Sequence, residues 1–197
     1  MGISLIRRRE SIIVSTIEIL NEVGLQNLST KLIANREGIS EGTLFRHFKS
    51  KSDILSAVID HYSQFDEVII NTCMNSANDP VDNVRYFFNR YAEYYENYPE
   101  ITILQQLYDS LMYESELSGK VKNIINRRGN FVVYSLKRAQ NEGLIGQAAD
   151  CALIGEFLLG GTKELCLKWR MSKFGFSIKD RTSAMVELFI DGFIDKK

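Results

Sequence analysis

The sequence predicts an all-α protein of about nine helices, and three observations carry that expectation. Apolar residues recur at three- and four-residue spacing along nearly the whole chain, with no strand-period segment of useful length. Only two prolines, Pro80 and Pro99, occur in 197 residues, where ordinary usage would place roughly ten. Glycines and Ser or Asp caps fall where the apolar period lapses. The length suits one compact domain or two small ones, and 45% apolar content is enough to fill a core.

The elements follow in order. Ile6, Ile13, Ile17 and Leu20 share one face of a first helix, which Gly24 closes as a C-cap. Ser29 precedes a short second helix from Thr30 to about Glu37, stopped by Gly38, and Ser40 caps a third that runs to about Phe48. Ser50-Lys51-Ser52-Asp53 reads as a capping box, ahead of the apolar face Ile54, Leu55, Val58 and Tyr62. Small polar residues from Asn71 to Asp79 break that helix. Pro80 suits the first turn of the next, over about 81–98, and Pro99 opens another through about 112. A longer helix spans about 116–142 and ends at Gly143; the last two cover about 150–171 and 178–195.

Composition removes several classes. The longest uncharged stretch, Val68 to Asn78, has eleven residues, well short of the ~20 that a spanning helix needs. Arg7, Arg8 and Arg9 are followed by Glu10, with no clean apolar block and cleavage site behind them, so no secretion signal is expected. Cys73, Cys151 and Cys166 are odd in number and set among apolar residues, which predicts buried thiols in a cytoplasmic protein. Their spacing, with only His47 and His61 beside them, gives no metal motif, and no cofactor signature is present. Residues 1–51 hold eight Lys/Arg and five Asp/Glu, and residues 52–197 hold sixteen and twenty. The polarity is modest, but it directs attention to the first fifty residues.

Three helices with short connections, the second and third joined by Gly38-Ile39-Ser40, describe a helix-turn-helix. Leu44 and Phe48 should hold the short third helix against the other two. Glu41, Gly42, Thr43, Phe45, Arg46 and His47 are then left on a face suited to base edges and phosphates.

The run GLQNLSTKLIANREGISEGTLFRHFKSKSDIL, from Gly24, resembles the N-terminal DNA-binding domain of TetR-family transcriptional repressors and matches that pattern without a gap. The resemblance covers about residues 6–66; the remaining two thirds fit by helix count and length. It implies a DNA-binding domain over 6–66 and an effector-binding and dimerisation domain over 67–197. It also implies phosphate contacts from Ser29 and Lys31, with Thr43, Leu44, Phe45 and His47 facing the groove and Arg46 and Lys51 on the backbone. Ser40 and Gly42 complete the expected DNA-contact set. Glu41 stands where a basic residue is common, Phe45 replaces a usual tyrosine, and Ser15 and Thr16 replace small alanines, which should affect packing only.

Two competing readings remain. Gly38-Ile39-Ser40-Glu41-Gly42 matches the G-x-S-x-G of hydrolases, but that motif needs a strand before it and a helix precedes it here. A helical interaction module without DNA binding would explain the helices but leave the first fifty residues unexplained. No catalytic residue is expected.

Seven of the chain's aromatic residues crowd into Tyr86–Tyr98, too many for one core face. The resemblance places an effector cavity among the middle helices. Its candidate walls are Phe65, Phe87, Phe88, Tyr91, Tyr95, Leu104, Tyr108, Leu111, Phe131 and Tyr134, a lining suited to a small apolar or aromatic molecule. Arg85, Arg90 and Arg127 could meet an anionic group of such a ligand, but are expected to be solvated. The resemblance also makes the last two helices a homodimer surface, with Leu158, Gly160, Gly161, Leu165, Met185, Leu188, Phe189 and Phe193 as candidates. The paired glycines are expected to admit a partner helix. The function implied is a ligand-responsive repressor that a small effector releases from a palindromic operator.

Overall fold

The computed structural model describes residues 5–76 and 79–193, except for the side chains of Leu5, Ile6 and Phe193. The described residues form ten α-helices and one 3-10 turn, with no strand among them. They are α1 (Leu5–Asn27), α2 (Thr30–Arg36), α3 (Glu41–Leu44), α4 (Lys51–Met74), α5 (Pro80–Asn97), the 3-10 turn Pro99–Thr102, α6 (Ile103–Gln106), α7 (Tyr108–Leu111), α8 (Ser118–Asn141), α9 (Cys151–Met171) and α10 (Ile178–Phe193). The all-α expectation holds, and the count is close to nine.

The differences have local causes. Backbone geometry breaks α1 at Gly24 (φ 76°, ψ 173°), where its C-cap was expected, and a short turn continues to Asn27. The polar stretch after Asn71 does not stop α4 until Met74, and the Thr72 hydroxyl donates back to the Val68 carbonyl at 2.7 Å within it. The expected helix over 99–112 is instead a 3-10 turn and two single-turn helices. Ile101, Thr102, Leu104, Gln105, Leu107 and Leu111 are all buried, so the segment must turn several faces inward. At the last junction Leu107 N–H is shared between the Ile103 and Leu104 carbonyls, at 3.1 and 3.2 Å.

The chain forms two compact units, Met1–Gln64 with Glu100–Asn123, and Phe65–Pro99 with Ile124–Lys197. In the first, Ile12, Ile17, Leu20, Ile33, Leu44, Phe48, Ile54 and Val58 are buried to 1% exposure or less. Burying a side chain such as Leu44 or Phe48 contributes about 1.5–3 kcal/mol. That contribution holds α3 in place, since four helical residues are unstable by themselves.

In the second unit α10 packs on α5 and α9. Arg85 joins α5 to α10 through a two-pronged contact with Glu187, Nε to Oε1 at 2.9 Å and a terminal nitrogen to Oε2 at 3.0 Å. Cys73, Cys151 and Cys166 are free and buried. Burial pushes the Cys166 thiol up to about 12 and Cys73 up to about 11, so neither is a nucleophile near neutral pH.

The paired glycines of α9 separate into two cases. A Cβ on Gly161 would lie 2.6 Å from the Met185 sulfur of the same chain. This glycine lies against the Met185 side chain of α10 in its own protomer. An added Cβ on Gly160 meets nothing within 4 Å. Gly161→Leu is therefore expected to lower protomer stability by about 1–3 kcal/mol. Met185→Ala should recover part of that loss, and thermal melts of the single and double variants check it.

Candidate nucleic-acid interface and effector region

The helix-turn-helix is built from local chemistry. Gly38 takes φ 64°, a left-handed conformation that costs glycine little, and ends α2. Gly38 N–H donates to Asn35 O at 3.2 Å and Ile39 N–H to Ala34 O at 3.0 Å, so the last carbonyls are satisfied as the chain reverses. Ser29 caps α2, its hydroxyl accepting from Leu32 N–H at 3.2 Å, and Ser40 caps α3, accepting from Thr43 N–H at 3.1 Å. A capping hydroxyl uses an acceptor lone pair and keeps a proton to give elsewhere. Ser50 caps α4 by accepting from Asp53 N–H at 3.0 Å, while Asp53 accepts from Lys49 N–H at 2.9 Å, one residue earlier than the motif predicts.

Of the expected contact residues, Lys31, Gly42, Phe45 and Arg46 are exposed, and Thr43 and His47 are half-buried. The Thr43 hydroxyl is already engaged, 3.0 Å from Ser40 Oγ and accepting from Arg46 at 3.1 Å. Half-buried Lys51 has its Nζ 3.5 Å from the Leu25 carbonyl. Leu44 is a correction. With no exposed surface it holds α3 from beneath and cannot face a groove. Ser40 follows a helix and a turn, not a strand, so its setting is that of a cap and not of a hydrolase nucleophile.

Sequence reasoning missed the polar edge of α1. Glu37, whose side chain is 5% exposed, is the C-cap of α2, where a carboxylate opposes the helix dipole by about 0.3–1 kcal/mol. Ser11 donates to it at 2.8 Å, Ser15 donates as well, and Arg8 stands 3.5 Å away. Ser15 therefore bonds and does not merely pack; Thr16, donating to Ile12 O at 2.7 Å, is fully buried. Arg9 donates to His47 O at 2.7 Å and lies over the Phe48 ring, 4.0 Å from its centroid. Arg8 and Arg9 are thus helical residues with partners inside the protein. Only the residue types within α1 offered a signal for this.

In the second unit, Phe87 is the hub of an aromatic cluster. Its ring centroid lies 5.2 Å from Phe88, 4.8 Å from Tyr91 and 5.0 Å from Phe131. All four rings and Tyr95 are buried, whereas Phe65 and Tyr134 are exposed. Leu104, Tyr108 and Leu111 belong to the first unit, where Tyr108 meets Tyr62 edge-on at 6.4 Å. Arg85 and Arg90, expected to be solvated, pair with Glu187 and Glu93; Arg127 is exposed.

The aromatic cluster also contains a buried ion pair that sequence reasoning passed over. Arg128 grips Asp66 with two parallel bonds, Nε to Oδ2 at 2.9 Å and a terminal nitrogen to Oδ1 at 2.8 Å. Tyr91 donates its hydroxyl to the same carboxylate, and its ring lies under the guanidinium, 4.4 Å from its centroid. The side chains are 1% and 9% exposed. The signal was present: Asp66 follows Ile54, Val58 and Tyr62 at four-residue spacing, and Arg128 follows Val121 and Ile124 on the apolar face of α8.

Among the dimer candidates, Gly160 and Leu188 are exposed, and Gly161, Leu165, Met185 and Phe189 are half-buried. The Phe193 side chain lies outside the described residues. Leu158 is a second correction: it has no exposed surface and belongs to the protomer core. The exposed stripe of α9 is Leu153, Phe157, Gly160, Glu164, Leu167 and Met171, alternating four- and three-residue steps. Phe157 is 56% exposed, Met171 76%, and Leu188 on α10 74%. Apart from Glu164 and Gly160, the stripe is made of large apolar side chains.

A short capped helix, Glu41–Leu44, held on a buried three-helix core with its polar face outward, defines a helix-turn-helix DNA-binding protein. Residues 12–58 match the family model described as bacterial regulatory proteins of the tetR family. The chain is 23% identical over 171 residues to the nucleoid occlusion factor SlmA of Cronobacter sakazakii, covering 86% of each. Two solved structures share its fold. The ketosteroid transcriptional regulator KstR2 of Mycobacterium tuberculosis superposes with TM-score 0.83 at 18% identity, over 96% of both chains. The transcriptional regulator FadR of Bacillus subtilis, solved with stearoyl-CoA, superposes with TM-score 0.78 at 22% identity, over 93% of this chain and 98% of that one. Among the described residues no helix is long and apolar enough to cross a membrane.

Proposed function

We propose that this regulator is a cytoplasmic homodimeric repressor that binds a palindromic operator and releases it when a small apolar or aromatic effector is bound. The observation that carries the reading is the polar face of the helix-turn-helix: Gly42, Thr43, Phe45, Arg46 and His47 stand outward above a fully buried Leu44. Residues 6–66 serve DNA and residues 67–197 serve effector and partner. Ser29, Lys31, Arg46 and Lys51 meet phosphates, which fix register, while Thr43, Phe45 and His47 meet base edges, which specify. The exposed stripes of α9 and α10 pair across a two-fold axis, since a two-fold operator requires a two-fold protein.

The buried rings around Phe87 suit an apolar effector. FadR, solved with stearoyl-CoA, makes a long-chain acyl thioester the first effector to try. Release follows from unequal effector affinity for two states of the dimer, as linkage requires. The test is enrichment of a random duplex pool on the purified protein, then displacement of the enriched duplex by an acyl-CoA series. A two-fold-symmetric sequence released by acyl-CoA is expected. A pool that shows no enrichment defeats the DNA-binding reading, and enrichment without release by any apolar compound defeats the effector reading.

Single variants divide the interface further. Thr43→Ala and His47→Ala should weaken the enriched duplex more than a scrambled one. Lys51→Ala should weaken both alike and reduce the salt slope by about one unit. Parallel losses for all three variants would show that the groove face has been misassigned.

A further inference from the structure

We propose that Arg9 is a positioning residue for operator discrimination: it fixes the far end of the reading helix from α1 and does not contact DNA. The inference rests on the DNA-binding reading above and extends it to a residue outside the helix-turn-helix. The regular part of α3 ends at Leu44, and the chain continues as turns through His47. Phe45 and His47, two of the proposed base-contacting residues, thus sit where helical hydrogen bonding is giving out. The terminal carbonyls of a helix lack partners inside it and attract cations.

Arg9 supplies both a partner and a charge. Its guanidinium donates to the His47 carbonyl at 2.7 Å while its plane covers the Phe48 ring at 4.0 Å. Phe48 itself is 1% exposed, so Arg9 is docked on a fixed platform and not on a mobile side chain. One residue away, Arg8 with Ser11 and Ser15 holds Glu37 at the end of α2. A single edge of α1 therefore holds the C-cap of α2 and the turn that follows α3, on either side of the turn at Gly38. Those contacts set where His47 and Phe45 point. One terminal nitrogen of the guanidinium is taken by the carbonyl and its plane by the ring, while the residue as a whole stays exposed.

Charge and shape make the proposal separable from a phosphate contact. Lysine keeps the charge of arginine but loses its planar fork and its stacking. If Arg9 positions the helix, Arg9→Lys and Arg9→Ala should both lose about tenfold on the enriched duplex. Binding to a scrambled duplex should change less than about twofold, and the salt slope should stay as in the wild type. Amide hydrogen exchange of the free protein adds a readout without DNA. Protection at residues 45–48 should fall in both variants while amides in the middle of α1 keep theirs.

Two results would overturn the proposal. One is a loss of equal size on both duplexes in Arg9→Ala, with the slope reduced by about one unit and Arg9→Lys behaving as wild type; that is the behaviour of a phosphate ligand. The other is unchanged exchange at residues 45–48. A wild-type protein that enriches no duplex at all would instead defeat the underlying reading, and is told apart because no variant is needed to see it.

Discussion

Asp66→Ala is expected to destabilise the protein by about 3–5 kcal/mol, the usual cost of removing one partner from a buried ion pair. The carboxylate lost is the one that Arg128 holds with two bonds and to which Tyr91 donates. With the pair side chains only 1% and 9% exposed, water cannot take its place without opening the core. Asp66→Leu combined with Arg128→Met removes both charges at similar volume, and should recover most of the loss or exceed wild-type stability by about 1–4 kcal/mol. Urea unfolding of wild type, single and double variants measures this directly. A single variant within about 1 kcal/mol of wild type would mean that the two charges are solvated in solution and the pair contributes little.

Leu188→Glu is expected to convert the proposed dimer to monomer while leaving each protomer folded. The side chain is 74% exposed on α10, so the substitution disturbs no packing inside the protomer. Desolvating a charge in the centre of an apolar interface costs about 2 kcal/mol or more, and a two-fold axis meets the change twice. About 4 kcal/mol corresponds to a dimer roughly a thousandfold weaker. Half-operator contacts alone do not hold a single reading helix, so affinity for the enriched duplex should fall with the dimer. Sedimentation velocity beside circular dichroism separates dissociation from unfolding. A dimer that persists with full operator affinity would place the interface away from α10. Gly161→Leu makes a useful contrast, because its clash with Met185 lies inside one protomer.

Much of this protein was legible one residue at a time. The caps Ser29, Ser40 and Ser50, the left-handed Gly38 and the first-turn Pro80 act through neighbours within four positions. Local hydrogen bonding and backbone sterics therefore suffice to read them. The same holds for the outward face of α3, since helical spacing assigns Leu44 and Phe48 to the core and leaves the remainder outside. The error at Leu44 came from carrying over a family role that its own spacing opposed. At Leu158 the spacing was consistent with the dimer face, and only the packed protomer showed the residue to be internal.

Long-range pairings were a different matter. Nothing in the run from Arg7 to Ser15 says that Glu37 and His47 will meet it, because the partners lie 22 to 38 residues away and depend on the crossing of three helices. The Asp66–Arg128 pair spans 62 residues, and its two halves looked like isolated interruptions of apolar stripes. The broken segment from Pro99 to Leu111 follows from burial on several faces, which a single helical period does not encode. The sequence by itself determined the helical class, the caps and the DNA-reading motif, because each depends on a short stretch of chain. Which charges are buried, which glycine faces its own protomer and which arginines are free were decided by tertiary structure. Those properties depend on what distant helices bring alongside, and a side chain's cost or use is set by that company.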